Sequence, residues 1–510
     1  MSDPVQPPDP NRRRFFRQFA GEVVTSVGSA LGAAQTLQQV SAEAARDLLG
    51  PSSTSMADAL GGTAAPAGVP VGTSGLTTAT GEPDAATAVW RAPFRWDDEV
   101  CRVVDQRRLP DTLVDLELRS AGDTVNAIAD GAVVGSAVQA QVAAVALAIL
   151  AENASGSRAF ARRATIRGAA NAMRLTRPGS APMAAALDRM LALLELLGLD
   201  AGGEHVAGGL KAEAERIIAE AVDDHGALVG HVLSILPGAP DEPLHVLVAG
   251  STGAMGGGQF GTALSAVQTV HHSGRPIHAL VTEGRPGLEG SRVAAWELRQ
   301  AGVPHAVVTD GAAPGCIAAG EVRVVLVGAD RIAANGDVVV TAGAYPLALA
   351  CAATDTPFIV CAATNALDLS VADGAHAEIE EGRPGLVLRA GGARVAPEGT
   401  QVRNPLQDLV TADLVTAIVT ETGVLRAPYG PAIAAAVATA SARRASSAGF
   451  AALLAQRAAD ATDAARDRTA TDAAAAGDGD GAPTAGRPAD AGRRPVDVAA
   501  LRNPSRTGEP

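Results

Sequence analysis

From Leu244 onward, short aliphatic runs recur, each followed by glycine, an acidic residue or a small polar residue. They are Leu244–Val248, Ile277–Val281, His305–Val308, Val322–Val327 and Pro357–Cys361, and helical segments separate them. Such runs present apolar side chains on both faces, which suits strands of a parallel sheet covered on each side by crossover helices. Upstream, from Val100 to Pro237, the periodicity is mostly helical. Apolar stripes span Val125–Leu150, Ala159–Leu175, Pro182–Leu199 and His205–Leu236, with breaks at Arg177-Pro178-Gly179 and Asp200-Ala201-Gly202-Gly203. The expected fold class is α/β. An N-terminal helical domain (96–237) precedes a Rossmann-like parallel-sheet domain (238–440), with flexible extensions at both ends. These extensions are a basic amphipathic segment (1–49), a Ser/Thr/Gly/Ala/Pro-rich linker (50–95) and a disordered Ala/Asp/Arg-rich tail (441–510).

Composition narrows the functional classes. With 510 residues, 47% of them hydrophobic, the chain has room for two or three domains and a sizeable core. A net charge of -14 opposes binding to nucleic acid, which needs a basic face to neutralise phosphates. The single lysine, Lys211, lies in an ordinary helical stretch and is the one candidate for Schiff-base chemistry. Cys101, Cys316, Cys351 and Cys361 are far apart, show no metal-ligand spacing, and read as reduced thiols of a cytoplasmic protein. No uncharged apolar run approaches the length of about 18 residues that a membrane span needs, so Val142–Leu150 reads as buried helix. Near the N-terminus, Arg12-Arg13-Arg14-Phe15-Phe16-Arg17 precedes Phe19, Val23, Val24, Val27 and Leu31 at helical spacing. Residues 12–40 therefore read as a helix that either docks on a partner or membrane surface or is merely structural. The same residues satisfy a twin-arginine export pattern, against which Glu22, Gln35, Gln38 and Gln39 weigh.

Ligands of open parallel sheets bind outside the carboxyl ends of the strands, so each strand exit is a candidate site. The first exit, Gly250-Ser251-Thr252-Gly253 continuing to Gly258, brings glycine backbone amides close together. It suits either an anion or a tight packing turn. It matches neither the lysine-containing phosphate loop nor the dinucleotide glycine pattern. The second exit carries Glu283-Gly284-Arg285-Pro286, where Arg285 can grip an anion and Glu283 can orient it. At the fourth, Asp330 emerges directly from an aliphatic strand, a place where a carboxyl group can serve as acid or base or simply cap a turn. Asn335-Gly336-Asp337 is a turn expected to fold the chain back over that site. The fifth carries Cys361, more typical of a small core residue than of a nucleophile. The acidic stretch Glu378-Ile379-Glu380-Glu381 reads as an exposed loop.

The string Gly328-Ala329-Asp330-Arg331-Ile332-Ala333-Ala334-Asn335-Gly336-Asp337 resembles the signature of methylthioribose-1-phosphate isomerases. Their superfamily also holds ribose-1,5-bisphosphate isomerase and the regulatory subunits of translation initiation factor 2B. The likeness runs in order from Val103 through Thr176-Arg177-Pro178, Gly261-Thr262-Ala263-Leu264, Ala295-Trp296-Glu297-Leu298 and Asn404-Pro405 to Pro428-Tyr429. It implies interconversion of a phosphorylated aldose and its ketose, no cofactor, a homodimer, and a cysteine and an aspartate as the proton-transferring pair. The aspartate falls on Asp330 and a substrate-binding arginine on Arg177. The cysteine falls on Gly250, beside Ser251, so the thiol is missing. The family's Arg-Gly-Ala-Pro phosphate loop is Val134-Gly135-Ser136-Ala137, its Asn-Lys pair is Val340-Thr341, and its pocket glutamine is Glu289. Substrate contacts are thus expected at Arg177, Gly135, Gly250, Ser251, Thr252, Gly253, Glu289 and Asn335. The same losses suit a relative that binds a sugar phosphate or nucleotide without turnover.

Overall fold

Each of the five aliphatic runs forms a strand of one seven-stranded sheet in the computed structural model, which describes residues 92–97, 99–390 and 392–446. In spatial order the strands are Gly423–Leu425, Ala417–Thr420, Phe358–Cys361, Val324–Val327, Leu244–Ala249, Ile277–Thr282 and His305–Val308. All neighbours are parallel except the first pair, where Gly423–Leu425 turns back along Ala417–Thr420. The period of two along each strand fills a core on either face. Leu247, Val325, Val360 and Ile418 pack beneath the helices Ala344–Thr354 and Tyr429–Ser446. Val246, Val324, Ile359 and Val419 pack beneath the helices Gly203–Leu233 and Ala263–His272.

The chain starts the sheet one strand from its centre with Leu244–Ala249, runs outward through Ile277–Thr282 to His305–Val308, then returns to the other side of its first strand with Val324–Val327. The direction of winding reverses between two strands paired through Ala249 and Val327. Connections leave these strands on opposite faces, and a crevice opens above their carboxyl ends.

Upstream helices roof the crevice. Ser136–Asn153 packs against Ala181–Leu196 and Gly203–Leu233. By length and composition it could cross a membrane, yet 78% of it is buried inside the fold, as befits a core helix. The stripe expected over Val125–Leu150 is two helices, Ala121–Ala129 and Ser136–Asn153, because Gly131 and Gly135 adopt φ of 74° and 116° between them.

Residues 94–118 depart from the helical expectation. Phe94–Trp96, Cys101–Val104 and Asp115–Leu118 form an antiparallel sheet, and the first strand begins inside the segment assigned to the linker. Phe94, Trp96, Cys101, Val103 and Leu118 face inward, while Arg102 pairs across the outer face with Glu117 at 3.1 Å. The last helix continues to Ser446, into the segment assigned to the tail. The basic segment with its docking or export readings, nearly all of the linker and most of the tail lie outside the described residues.

Candidate active site

The crevice holds a cavity of about 900 Å³, bounded by the exits at Gly250–Thr252, Gly284–Gly290, Gly328–Asp330 and Cys361–Ala363. The N-terminus of Ser136–Asn153 closes one side. Gly135, immediately before that helix, permits the approach: a Cβ there would lie 2.4 Å from the backbone of Gly256. Helix start and glycine-rich loop thus meet backbone to backbone, as only glycine allows.

Asp330 stands at the reversal point and is held from three sides. The Ser136 hydroxyl donates to its Oδ1, and Gln407 Nε2 donates to its Oδ2 at 2.7 Å. The Arg177 guanidinium lies 3.5 Å from the same Oδ2. Arg177 is also paired with Glu380 at 2.7 Å, and the Glu380 amide donates to Gln407 Oε1 at 3.0 Å. Asp330, Arg177, Glu380 and Gln407 therefore close a ring in which each member fixes the next. The Gly179 amide donates to Glu380 Oε1 at 2.9 Å, binding the Arg177-Pro178-Gly179 break into the ring.

Within 378–381, Glu378 and Glu381 are exposed as expected of a surface loop, but Glu380 corrects that reading at its own position, its side chain being 9% exposed. The available signal was Arg177 itself: a guanidinium held away from water needs an acidic partner, and none lies near it in sequence. Gln407, 3% exposed, carried no such signal.

Gly250, Ser251, Thr252, Gly135, Arg177 and Glu289 all line the cavity. Thr252 mainly supports the loop, its Oγ1 accepting from the Leu264 amide at 3.2 Å. Burial pushes the Glu289 carboxyl above its ordinary range, against the opposing pull of Arg292 and Arg177. Two expected contacts are misplaced. Gly253 lies behind the loop, where a Cβ would fall 1.8 Å from the Glu297 carboxylate. Asn335 is exposed and spends both side-chain groups on Asp337, at 2.9 Å each, which shapes the hairpin between Arg331–Ala333 and Val338–Thr341 rather than the cavity. The turn exists, but it points away from the crevice.

At the second exit Arg285 lines the cavity and donates to the Leu386 carbonyl at 3.1 Å. The loop is set by Asp310 rather than Glu283: the amides of Gly284 and Arg285 donate to the Asp310 carboxylate at 2.9 and 2.7 Å. Cys361 also reaches the cavity wall but is 1% exposed, and burial pushes its thiol far up, which disfavours a thiolate.

Gly250 has φ of 86°, and a Cβ there would lie 3.3 Å from Thr341 Cγ2. Restoring a thiol by Gly250→Cys therefore strains the backbone. We expect a loss of about 1–2 kcal/mol in stability, read as a lower denaturant midpoint. A midpoint equal to that of the parent protein refutes this account of the loop.

The family model for the Initiation factor 2 subunit family matches residues 132–427, which include every exit described above. A methylthioribose-1-phosphate isomerase of Chloroflexus aurantiacus is 36% identical over 334 residues, covering 66% of this chain and 95% of its own. The crystal structure of 5-methylthioribose 1-phosphate isomerase from Pyrococcus horikoshii OT3 superposes with a TM-score of 0.61 at 26% identity, over 69% of this chain and 96% of that one. Translation initiation factor eIF-2B subunit delta from A. fulgidus gives 0.57 at 27% identity, over 68% and 99%. The chain belongs to the Initiation factor 2 subunit family, as a methylthioribose-1-phosphate isomerase-like member of it.

Proposed function

We propose that the cavity binds a phosphorylated sugar and interconverts its aldose and ketose forms, with Asp330 as a proton-transferring group. The observation that carries this reading is the fixed carboxylate at the reversal point of the sheet, gripped by Ser136, Gln407 and Arg177. Moving hydrogen between adjacent carbons needs an acid–base group held within hydrogen-bond reach of the reacting atoms. Arg177, Arg285 and Arg292 on the cavity wall supply positive charge suited to a phosphate. The test is purified protein against 5-methylthioribose 1-phosphate and a panel of pentose phosphates. Turnover supports the reading, whereas neither turnover nor saturable binding rules it out. Saturable binding without turnover identifies a regulatory, ligand-binding relative, the reading that Gly250 favours. We also propose a homodimer, on the family resemblance; a mass in solution equal to one 51.0 kDa chain counts against it.

A further inference from the structure

Aldose–ketose interconversion requires a group that handles the carbon-bound hydrogen as well as one that handles the oxygen-bound proton. Gly250 offers no such group, and the Cys361 thiol resists ionisation. One histidine lines the cavity among the described residues, His225, carried by the long helix Gly203–Leu233 and 2% exposed.

Its surroundings select one tautomer. His225 Nδ1 lies 2.5 Å from the Phe260 carbonyl oxygen, which can only accept, so Nδ1 bears the hydrogen and Nε2 the lone pair. Burial favours the uncharged ring over the opposing pull of Glu421. The glycine-rich loop packs directly against the ring, since a Cβ on Gly257 would lie in ordinary contact with it, 3.4 Å from Nδ1. The Ser251 hydroxyl, on the same loop and also lining the cavity, is buried without a hydrogen-bond partner. This wall thus pairs an oriented base with a polar group that still lacks a partner, a combination costly to bury unless a ligand oxygen completes it.

We propose that His225 is the second catalytic residue of this cavity, its Nε2 carrying the carbon-bound hydrogen as a proton while Asp330 serves the oxygens. The inference rests on the proposed isomerase activity. With a ring sugar phosphorylated at carbon 1, Nε2 removes the proton from carbon 2, and that bond's electron pair becomes the C1=C2 double bond. The bond from carbon 1 to the ring oxygen breaks and leaves its pair on that oxygen, which takes the proton that the Asp330 carboxylate has received from the 2-hydroxyl. The pair left on the 2-oxygen then forms the C2 carbonyl, with Asp330 again a carboxylate. The double bond's pair takes back the proton held by His225, now at carbon 1. Both side chains end as they began, and no oxidant or reductant is consumed.

The test compares the full-length wild-type protein with His225→Gln, which fills similar space but cannot act as a base. On 5-methylthioribose 1-phosphate we expect kcat to fall about 100-fold or more, with KM within about threefold and calorimetric binding retained. A variant whose kcat stays within about threefold of wild type overturns the assignment and leaves the isomerase reading standing. Wild-type protein that does not turn over removes that reading and the assignment with it. Nitrogen NMR of labelled histidine in the wild-type protein stands in where the variant does not fold. Saturating 5-methylthioribose 1-phosphate is expected to shift the His225 Nε2 resonance, and an unmoved Nε2 overturns the proposal.

Discussion

Asp330→Asn is expected to lower turnover by about 10²–10⁴-fold while the substrate's KM changes little. The amide is nearly isosteric with the carboxyl group but cannot exchange a proton at working pH, so the chemical step loses its acid–base group. Binding suffers less, because Arg177, Arg285 and Arg292 remain on the cavity wall. The local network has to adjust. Asn Oδ1 still accepts from Ser136, but its NH₂ then faces Gln407 Nε2 and the Arg177 guanidinium, both donors. Gln407 cannot simply flip, since its Oε1 already accepts from the Glu380 amide. Ser136→Ala separates positioning from chemistry: it removes one donor and leaves the carboxylate and its other partners in place. It should cost turnover far less than Asp330→Asn. Steady-state kinetics on both variants decides the matter, and Asp330→Asn retaining more than about a tenth of wild-type kcat excludes Asp330 from proton transfer.

Why Asp330 was visible in the sequence while its partners were not follows from how each is placed. Strands such as Val324–Val327 are buried on both faces and announce themselves as aliphatic runs, so the residue at the exit is known as soon as the strand is. Gln407 and Glu380 come from 77 and 50 positions downstream of Asp330, on segments whose local pattern carries no sign of what they meet. The small N-terminal sheet was hidden for another reason. Its strands are three or four residues long and carry charges on their outer face, too short for a period of two to stand out from the neighbouring helical stripes. Gly253 and Asn335 show the converse error. Both sit in motif strings with true cavity residues, yet one faces the buried Glu297 and the other caps its own turn. Adjacency in a motif does not decide which way a side chain points.

Glu297 yields the second large effect, in stability rather than turnover. It is 5% exposed on the helix Ala295–Gln300 and lies behind the loop that carries Gly250 and Ser251. Its Oε1 accepts from the Met255 amide at 2.7 Å, and the Ala254 amide is a further backbone donor. Burial outweighs these donors and pushes the carboxyl up to about 7 from its ordinary 4.5. The folded state therefore binds more protons than the unfolded state between those values, and stability falls as pH rises through that window. The full difference is about 3 kcal/mol, present as a loss above pH 7 and absent below the unfolded value. Glu297→Gln removes this slope, because the amide is neutral throughout. It also turns an NH₂ group toward a backbone donor, a penalty of about 1–3 kcal/mol that does not depend on pH. The variant should thus be the less stable protein at pH 5 and draw level with or pass wild type by pH 8. Denaturant midpoints for both proteins across that range test this, and two parallel curves would show that Glu297 keeps its charge in the folded state. Because the same carboxyl shapes the loop at the first strand exit, ligand affinity in wild type should drift over the same interval and stay flat in Glu297→Gln.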